Sequence, residues 1–215
     1  MGVITISRKT GSLGNPIGQI VARKLGMKCV NKDFIGMIVE EYGFSYFNQI
    51  YQDVPNFFER YKEFRVQTLD FVVKTIEAIG AHDNVVIVGR GGFEIFENYA
   101  DVLNVRTSAP FDVRVKRKSE QRSLTEKEAV ERIIAHDKAR RAFLYDNFQH
   151  RYNNTRDFDL VINTAYLSTD YASDVICESF KNLLKKGRNK NSKYIKDLKV
   201  DAVLEDIVTK RINEL

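Results

Sequence analysis

The chain has 215 residues, 43% of them hydrophobic and 29% charged, the balance of a globular domain able to bury an ordinary core. The 34 Lys and Arg against 29 Asp and Glu leave a net charge of +5, which favours anionic partners such as nucleotides. No apolar run approaches the roughly 20 residues of a membrane span, and no signal pattern opens the chain, so a cytoplasmic protein is expected. Cys29 and Cys177 read as buried reduced thiols. The three histidines (His82, His136, His150) form no ligand pair, so no metal site is expected.

The first predicted element is a short apolar strand, Val3–Ile6. It runs into Ser7-Arg8-Lys9-Thr10-Gly11-Ser12-Leu13-Gly14, and a helical pattern follows over 15–25. Further strands are predicted at Lys28–Val30, Val85–Val88, Val102–Arg106 and Leu160–Ile162. Their short, continuously apolar character suits a parallel sheet covered on both faces. Helical patterns separate them at 32–42, with Asn31 as N-cap, at 56–80, and at 110–121. Another begins at Thr125 with Glu128 in capping-box spacing and runs to 147, and a last one covers 169–185. Alternating strands and helices imply an α/β fold: a five-stranded parallel sheet flanked by helices.

Two regions break the alternation. Residues 44–55 are aromatic-rich without a clean period and fit a lid, a substrate-side insertion or a dimer surface. Residues 185–193 form a basic, polar linker. An amphipathic helical pattern follows at 194–213, whose apolar face docks either on its own domain or on a partner.

Four constellations could carry chemistry. A buried strand, a glycine-bearing turn and a helix start bring backbone N–H groups and a helix dipole to one spot, where an anion is stabilised. Gly11 and Gly14 permit close approach, and Ser12 could add a hydroxyl donor. The second constellation is Gly89-Arg90-Gly91 after a buried strand, placing an arginine fork where open α/β sheets bind ligands. The third comprises Arg114, Arg117, Arg132, Asp137, Arg140 and Arg141 on two successive helices. Such cations can neutralise a transferred phosphoryl group, or lie on a solvated face. The fourth is Asp33, which could orient an acceptor, hold magnesium through water, or simply favour its helix N-terminus.

Taken in order, several segments resemble the cytidylate kinase-like proteins, P-loop relatives of the nucleoside monophosphate kinases. They are Ile4-Thr5-Ile6-Ser7-Arg8 with Gly11-Ser12-Leu13-Gly14, Asn31-Lys32-Asp33, Val86-Ile87-Val88-Gly89-Arg90-Gly91, Ala109-Pro110 with Arg114 and Arg117, Asp137-Lys138-Ala139-Arg140, and Asp159 to Thr164. The resemblance implies a P-loop nucleoside-triphosphate-hydrolase-like domain over 1–186 with a helical lid within about 118–157. Residues 187–215 lie outside it as a basic linker and C-terminal helix. It also implies transfer of the γ-phosphoryl of ATP, with Mg2+, to a nucleoside monophosphate or related small acceptor. Carried over by position, Arg8, Gly11, Ser12, Leu13, Gly14 and Asn15 would hold the donor phosphates. Asp33 and Arg90 would face the acceptor, and Arg90, Arg114, Arg117, Arg140 and Arg141 would serve the transferred group.

The chain departs from that pattern at two places. Asn15-Pro16 follows Gly14 where cytidylate kinases have lysine, and Gly91 follows Arg90 where they have an aspartate that helps select cytosine. Base specificity is therefore not carried over. A catalytically weak nucleotide-binding or regulatory protein on the same fold is the alternative. A homodimer through residues 44–80 or the C-terminal helix is compatible with the pattern, nucleic acid is a disfavoured partner, and no membrane is implied.

Overall fold

The computed structural model describes residues 2–42, 62–148, 155–186 and 193–215. The aromatic stretch at 44–55, the start of the long helical pattern, the end of the expected lid and most of the basic linker lie outside the described residues. Five strands form one parallel sheet in the order β2-β3-β1-β4-β5: β1 Val3–Arg8, β2 Lys28–Val30, β3 Val85–Val88, β4 Val102–Ser108 and β5 Leu160–Asn163. The helices are α1 Gly14–Leu25, α2 Lys32–Glu41, α3 Lys62–Ala81, α4 Gly92–Ile95, α5 Phe111–Arg122, α6 Glu126–Phe148, α7 Thr169–Lys186 and α8 Ala202–Asn213. The four-residue α4 is too short to show a helical period and is absent from the sequence reading. No helix among the described residues is long and apolar enough to cross a membrane.

The strands are apolar on both faces because both are covered. Val3, Val85, Ile87 and Val102 point into a core shared with α2, α3 and α8. Ile4, Ile6, Val86, Val88, Leu103 and Val105 point into a second core under α1 and α7. Towards the carboxyl ends the first face turns polar. Thr5 pairs in register with Asn104 and Ser7 with Arg106, all four buried, and Thr5 Oγ1 donates to Asn104 Oδ1 at 2.6 Å. This period-two switch from valine to polar side chains leaves a polar floor at one end of an otherwise apolar sheet.

Local chemistry sets the helix ends. The Asn31 side chain accepts from the N–H groups of Asp33 (2.8 Å) and Phe34 (3.2 Å), which starts α2. Glu128 Oε2 accepts from the Thr125 N–H at 2.8 Å, and the Glu128 N–H reaches Thr125 Oγ1 at 3.3 Å, a reciprocal capping box ahead of α6. Gly26, left-handed at φ 66°, closes α1.

The C-terminal segment packs on the same chain. Ile195, Leu204, Val208 and Ile212 are buried with residues of α2 and α3, and Arg211 Nε lies 2.6 Å from Glu41 Oε2 at the end of α2. The helix is shorter than the 194–213 pattern. A 3-10 turn at Ile195–Asp197 precedes it, and the carboxylate of the extended Asp201 caps Val203 and Leu204, starting the helix only at Ala202.

Candidate active site

From β1 the sheet order diverges, to β3 and β2 on one side and to β4 and β5 on the other. A crevice therefore opens above its carboxyl end. The loop that leaves β1 there turns back through two left-handed residues, Gly11 (φ 81°) and Leu13 (φ 59°), before α1 begins at Gly14. Ser12 fastens the loop from below. Its N–H donates to the Lys9 carbonyl at 3.2 Å, and its fully buried hydroxyl lies 2.8 Å from that carbonyl and 3.0 Å from the Thr107 carbonyl. The N–H groups of Gly11, Leu13, Gly14 and Asn15 have no acceptor among the described residues. Free amides at the start of a helix, with its dipole behind them, stabilise an anion. Pro16 contributes no N–H.

Helix α6 crosses above this loop. Asp137, near its middle, accepts from the Thr10 N–H (2.9 Å) and the Thr10 hydroxyl (2.8 Å) through Oδ1, and from Arg114 Nη1 (2.7 Å) through Oδ2. Arg140 Nη1 reaches the same Oδ1 at 3.3 Å and also donates to the Thr10 hydroxyl. One turn further on, Phe143 and Leu144 pack with Phe93 and Phe158. Between α6 and the ends of β1 and β3 lies a cavity of about 180 Å³ whose walls include Ser7, Arg8, Lys32, Arg90, His136 and Arg140.

The expected site residues fall in different places. Arg8, Arg90 and Arg140 line the cavity. Arg90 is left-handed (φ 55°) between Gly89 and Gly91, and its guanidinium lies over the Phe143 ring at 5.5 Å. Arg114 is buried under the loop, donating to the Thr10 carbonyl at 3.1 Å and to Asp137. Arg117 ties the loop to the end of β5, reaching the Gly11 carbonyl at 3.3 Å and the Thr164 carbonyl at 2.6 Å. Arg141 is exposed, away from the cavity wall. Asp33 is also exposed and pairs with Lys32 at 3.8 Å, and it is Lys32 that faces the cavity. Gly14 is needed for packing, since a Cβ there would lie 2.7 Å from Arg8 Cβ and 2.9 Å from Thr107 Oγ1.

Positive charge dominates the site. Partial burial, and then Arg106 and Arg114, push Lys9 below its ordinary value, with Asp137 pulling the other way. Burial would raise Asp137, but the N–H and hydroxyl of Thr10 and the charge of Arg114 outweigh it and hold the carboxyl below the usual range. Partial desolvation, followed by the charges of Arg140, Lys118 and Lys32, lowers His136 and favours a neutral imidazole.

The sequence pattern of the cytidylate kinase-like family matches residues 3–166, a span that holds the loop, the cavity and the lid helix. The chain belongs to the cytidylate kinase-like family. Cytidylate kinase from Sulfolobus acidocaldarius is 33% identical over 104 residues, 48% of this chain and 57% of that protein. Uronate isomerase from Corynebacterium glutamicum is 26% identical over 98 residues, 46% of this chain and 19% of that protein. The chain thus spans less than two thirds of the length of either relative. A crystal structure of an uncharacterized protein from Eubacterium ventriosum superimposes with a TM-score of 0.66 at 19% identity, covering 84% of this chain and 98% of that one, which shows a shared fold.

Within this family member, several site residues escape the sequence reading. Thr10, Thr107, Arg106 and His136 carry no motif of their own, and Lys32 stands in the Asn31-Lys32-Asp33 segment with no role assigned to it. Arg106 and Asn104 could be found from the alternation of β4, where they fall on the same face as Val102. Asp137 enters the sequence reading among the arginines of two helices and in the Asp137-Lys138-Ala139-Arg140 segment, but its bond to Thr10, 127 positions away, carries no local signal. The residues present fit nucleotide phosphates: four free amides lie at a helix start in the loop that Arg140 contacts at Thr10, and Arg8, Arg90 and Arg140 line the cavity. For Mg2+ no group of three or more carboxylate, His or Cys ligands occurs among the described residues.

Proposed function

We propose that the protein is a phosphotransferase moving the γ-phosphoryl of ATP to a nucleoside monophosphate or a related small phosphorylated acceptor. The observation that carries this reading is that the loop bearing the free amides of Gly11, Leu13, Gly14 and Asn15 is contacted at Thr10 by the guanidinium of Arg140, which also lines the cavity beside Arg8 and Arg90. The amides and Arg8 receive the donor phosphates. Arg90, Lys32 and Asp33 serve the acceptor side. An acceptor oxygen forms a bond to the γ-phosphorus as the bond to the β–γ bridging oxygen breaks, and ADP leaves. Mg2+ neutralises the β and γ oxygens when bound. Catalysis of this kind is positioning plus electrostatics. Arg140 is set above the moving group, and Arg114 and Arg117 hold the loop that receives it. A cytoplasmic setting and a homodimer through residues 44–80 go with this reading, while α8 has its apolar face buried in its own chain.

One observation favours a second reading, a weakly catalytic nucleotide-binding or regulatory protein. Asn15 and Pro16, both exposed, stand where a P-loop kinase has its lysine. Incubating the pure protein with ATP, Mg2+ and a panel of nucleoside monophosphates separates the two. Turnover of one acceptor well above the rest supports the kinase, and ATP binding without turnover across the panel supports the regulator.

A further inference from the structure

Asp137 is held by partners from three parts of the chain: the loop after β1, α5 and α6 itself. A helix-surface Asp–Arg pair at i,i+3 needs none of this and is worth only a few tenths of a kcal/mol. Here the carboxylate is 14% exposed and its partner Arg114 only 7%, so removing Asp137 would leave a buried guanidinium without this counter-charge. Arg114 also holds the Thr10 carbonyl, so the Thr10 peptide is gripped at its N–H by the acid and at its C=O by the base. Arg140, at 31% exposure, is the more exposed of the two guanidinium groups. Left to itself, a long side chain on a lid helix samples many rotamers, and ordering it at the moment of reaction is costly.

We propose that Asp137 is a positioning residue: its carboxylate pins the lid helix to the first loop and fixes the Arg140 guanidinium at Thr10, beside the free loop amides, before any ligand arrives. The pin is a property of the free protein. Only the use made of Arg140 rests on the phosphotransfer reading. Asp137 touches no reacting atom; it acts through Arg140 and the loop.

The test has two readouts. In the free protein, amide hydrogen exchange is compared between wild type, Asp137→Asn and the milder Thr10→Ala, which removes one donor and serves if Asp137→Asn does not fold. The pin requires exchange at Thr10 and in residues 130–141 to quicken together, about 10-fold or more, while α7 keeps its protection. Unchanged exchange in loop and lid, or equal loosening everywhere, overturns it. The second readout is a double-mutant cycle with Arg140→Ala on kcat. Each single change is expected to lower kcat by about 10- to 100-fold with the KM for ATP moving less than about 3-fold. The double variant should be no worse than the poorer single one. Additive losses overturn the coupling while leaving the kinase reading intact. If wild type turns over no acceptor, the kinase reading fails and the exchange data alone decide the pin.

Discussion

Arg8 lies across Gly89: a Cβ built on Gly89 would overlap the Arg8 guanidinium. The two meet because β1 and β3 are neighbours in register, Ile6 beside Val88, with the Gly89 N–H donating to the Ile6 carbonyl at 3.0 Å. Gly89 is also left-handed at φ 90°, so this position excludes side chains on two counts. The consequence is a cation lying flat on the crevice floor, in a chain whose first loop has no lysine after its last glycine.

Gly89→Ala should therefore act through Arg8. The positive φ and the overlap together cost about 1–3 kcal/mol, and Arg8 must leave the floor. A lower thermal midpoint and weaker ATP binding by calorimetry are expected together. In an Arg8→Ala background the overlap is gone, so adding Gly89→Ala should lower stability less and change ATP affinity no further. Equal losses in both backgrounds would show that the two residues do not communicate.

Ser12→Ala separates the loop's architecture from its ligand face. The hydroxyl is fully buried and engaged with the carbonyls of Lys9 and Thr107. Both carbonyls keep a backbone donor, Ser12 N–H on Lys9 and Lys9 N–H on Thr107, so losing the hydroxyl should cost about 0.5–1.5 kcal/mol. The KM for ATP should move by less than about 3-fold, since the amides of Gly11, Leu13, Gly14 and Asn15 remain. A large rise in KM with unchanged stability would mean that the serine contacts the ligand.

The serine illustrates what was legible in the sequence. A strand, two glycines and a helix start are local signals, and they mark out the loop between β1 and α1. The five strands, the Asn31 cap and the Thr125–Glu128 capping box are local in the same sense, because period and end chemistry are written within a dozen positions. Side-chain direction is not. Whether Ser12 faces the ligand or the core depends on Thr107, 95 positions away. Asp137 looks like half of a helix-surface ion pair until α6 is laid over the loop. Likewise Asp33 and Lys32 are adjacent in sequence, and only the rotation of α2 against the sheet decides that the lysine lines the cavity. Long-range packing sets these choices, and no periodicity records it.

Glu94 should give the protein a pH-dependent stability. Burial, and then the charges of Glu97 and Asp157, push its carboxyl from 4.5 up to about 7. The folded state therefore binds more protons than the unfolded state between those values, and stability falls as pH rises through that window. Above about 7 the carboxylate is ionised in both states and its cost is fully present. Glu94→Gln removes this component. Melting curves at pH 5 and pH 8 should show the variant gaining on wild type at the higher pH. A difference that is the same at both would sink the assignment.

The C-terminal helix should be a structural part of the kinase-like domain although it lies beyond the 3–166 family match. Leu204 and Val208 are each 1% exposed among side chains of α2 and α3, whereas Val203, one position away, is 61% exposed. Leu204→Ala should cost about 2–5 kcal/mol, and Val203→Ala less than about 0.5 kcal/mol, read as shifts in the urea midpoint at constant slope. Because α2 carries Lys32 to the cavity wall, loosening its far end should also raise the acceptor KM more than the ATP KM. Equal midpoints for the two variants would mean that α8 does not dock on this core in solution, and α2 would then have to be held by the sheet and α3.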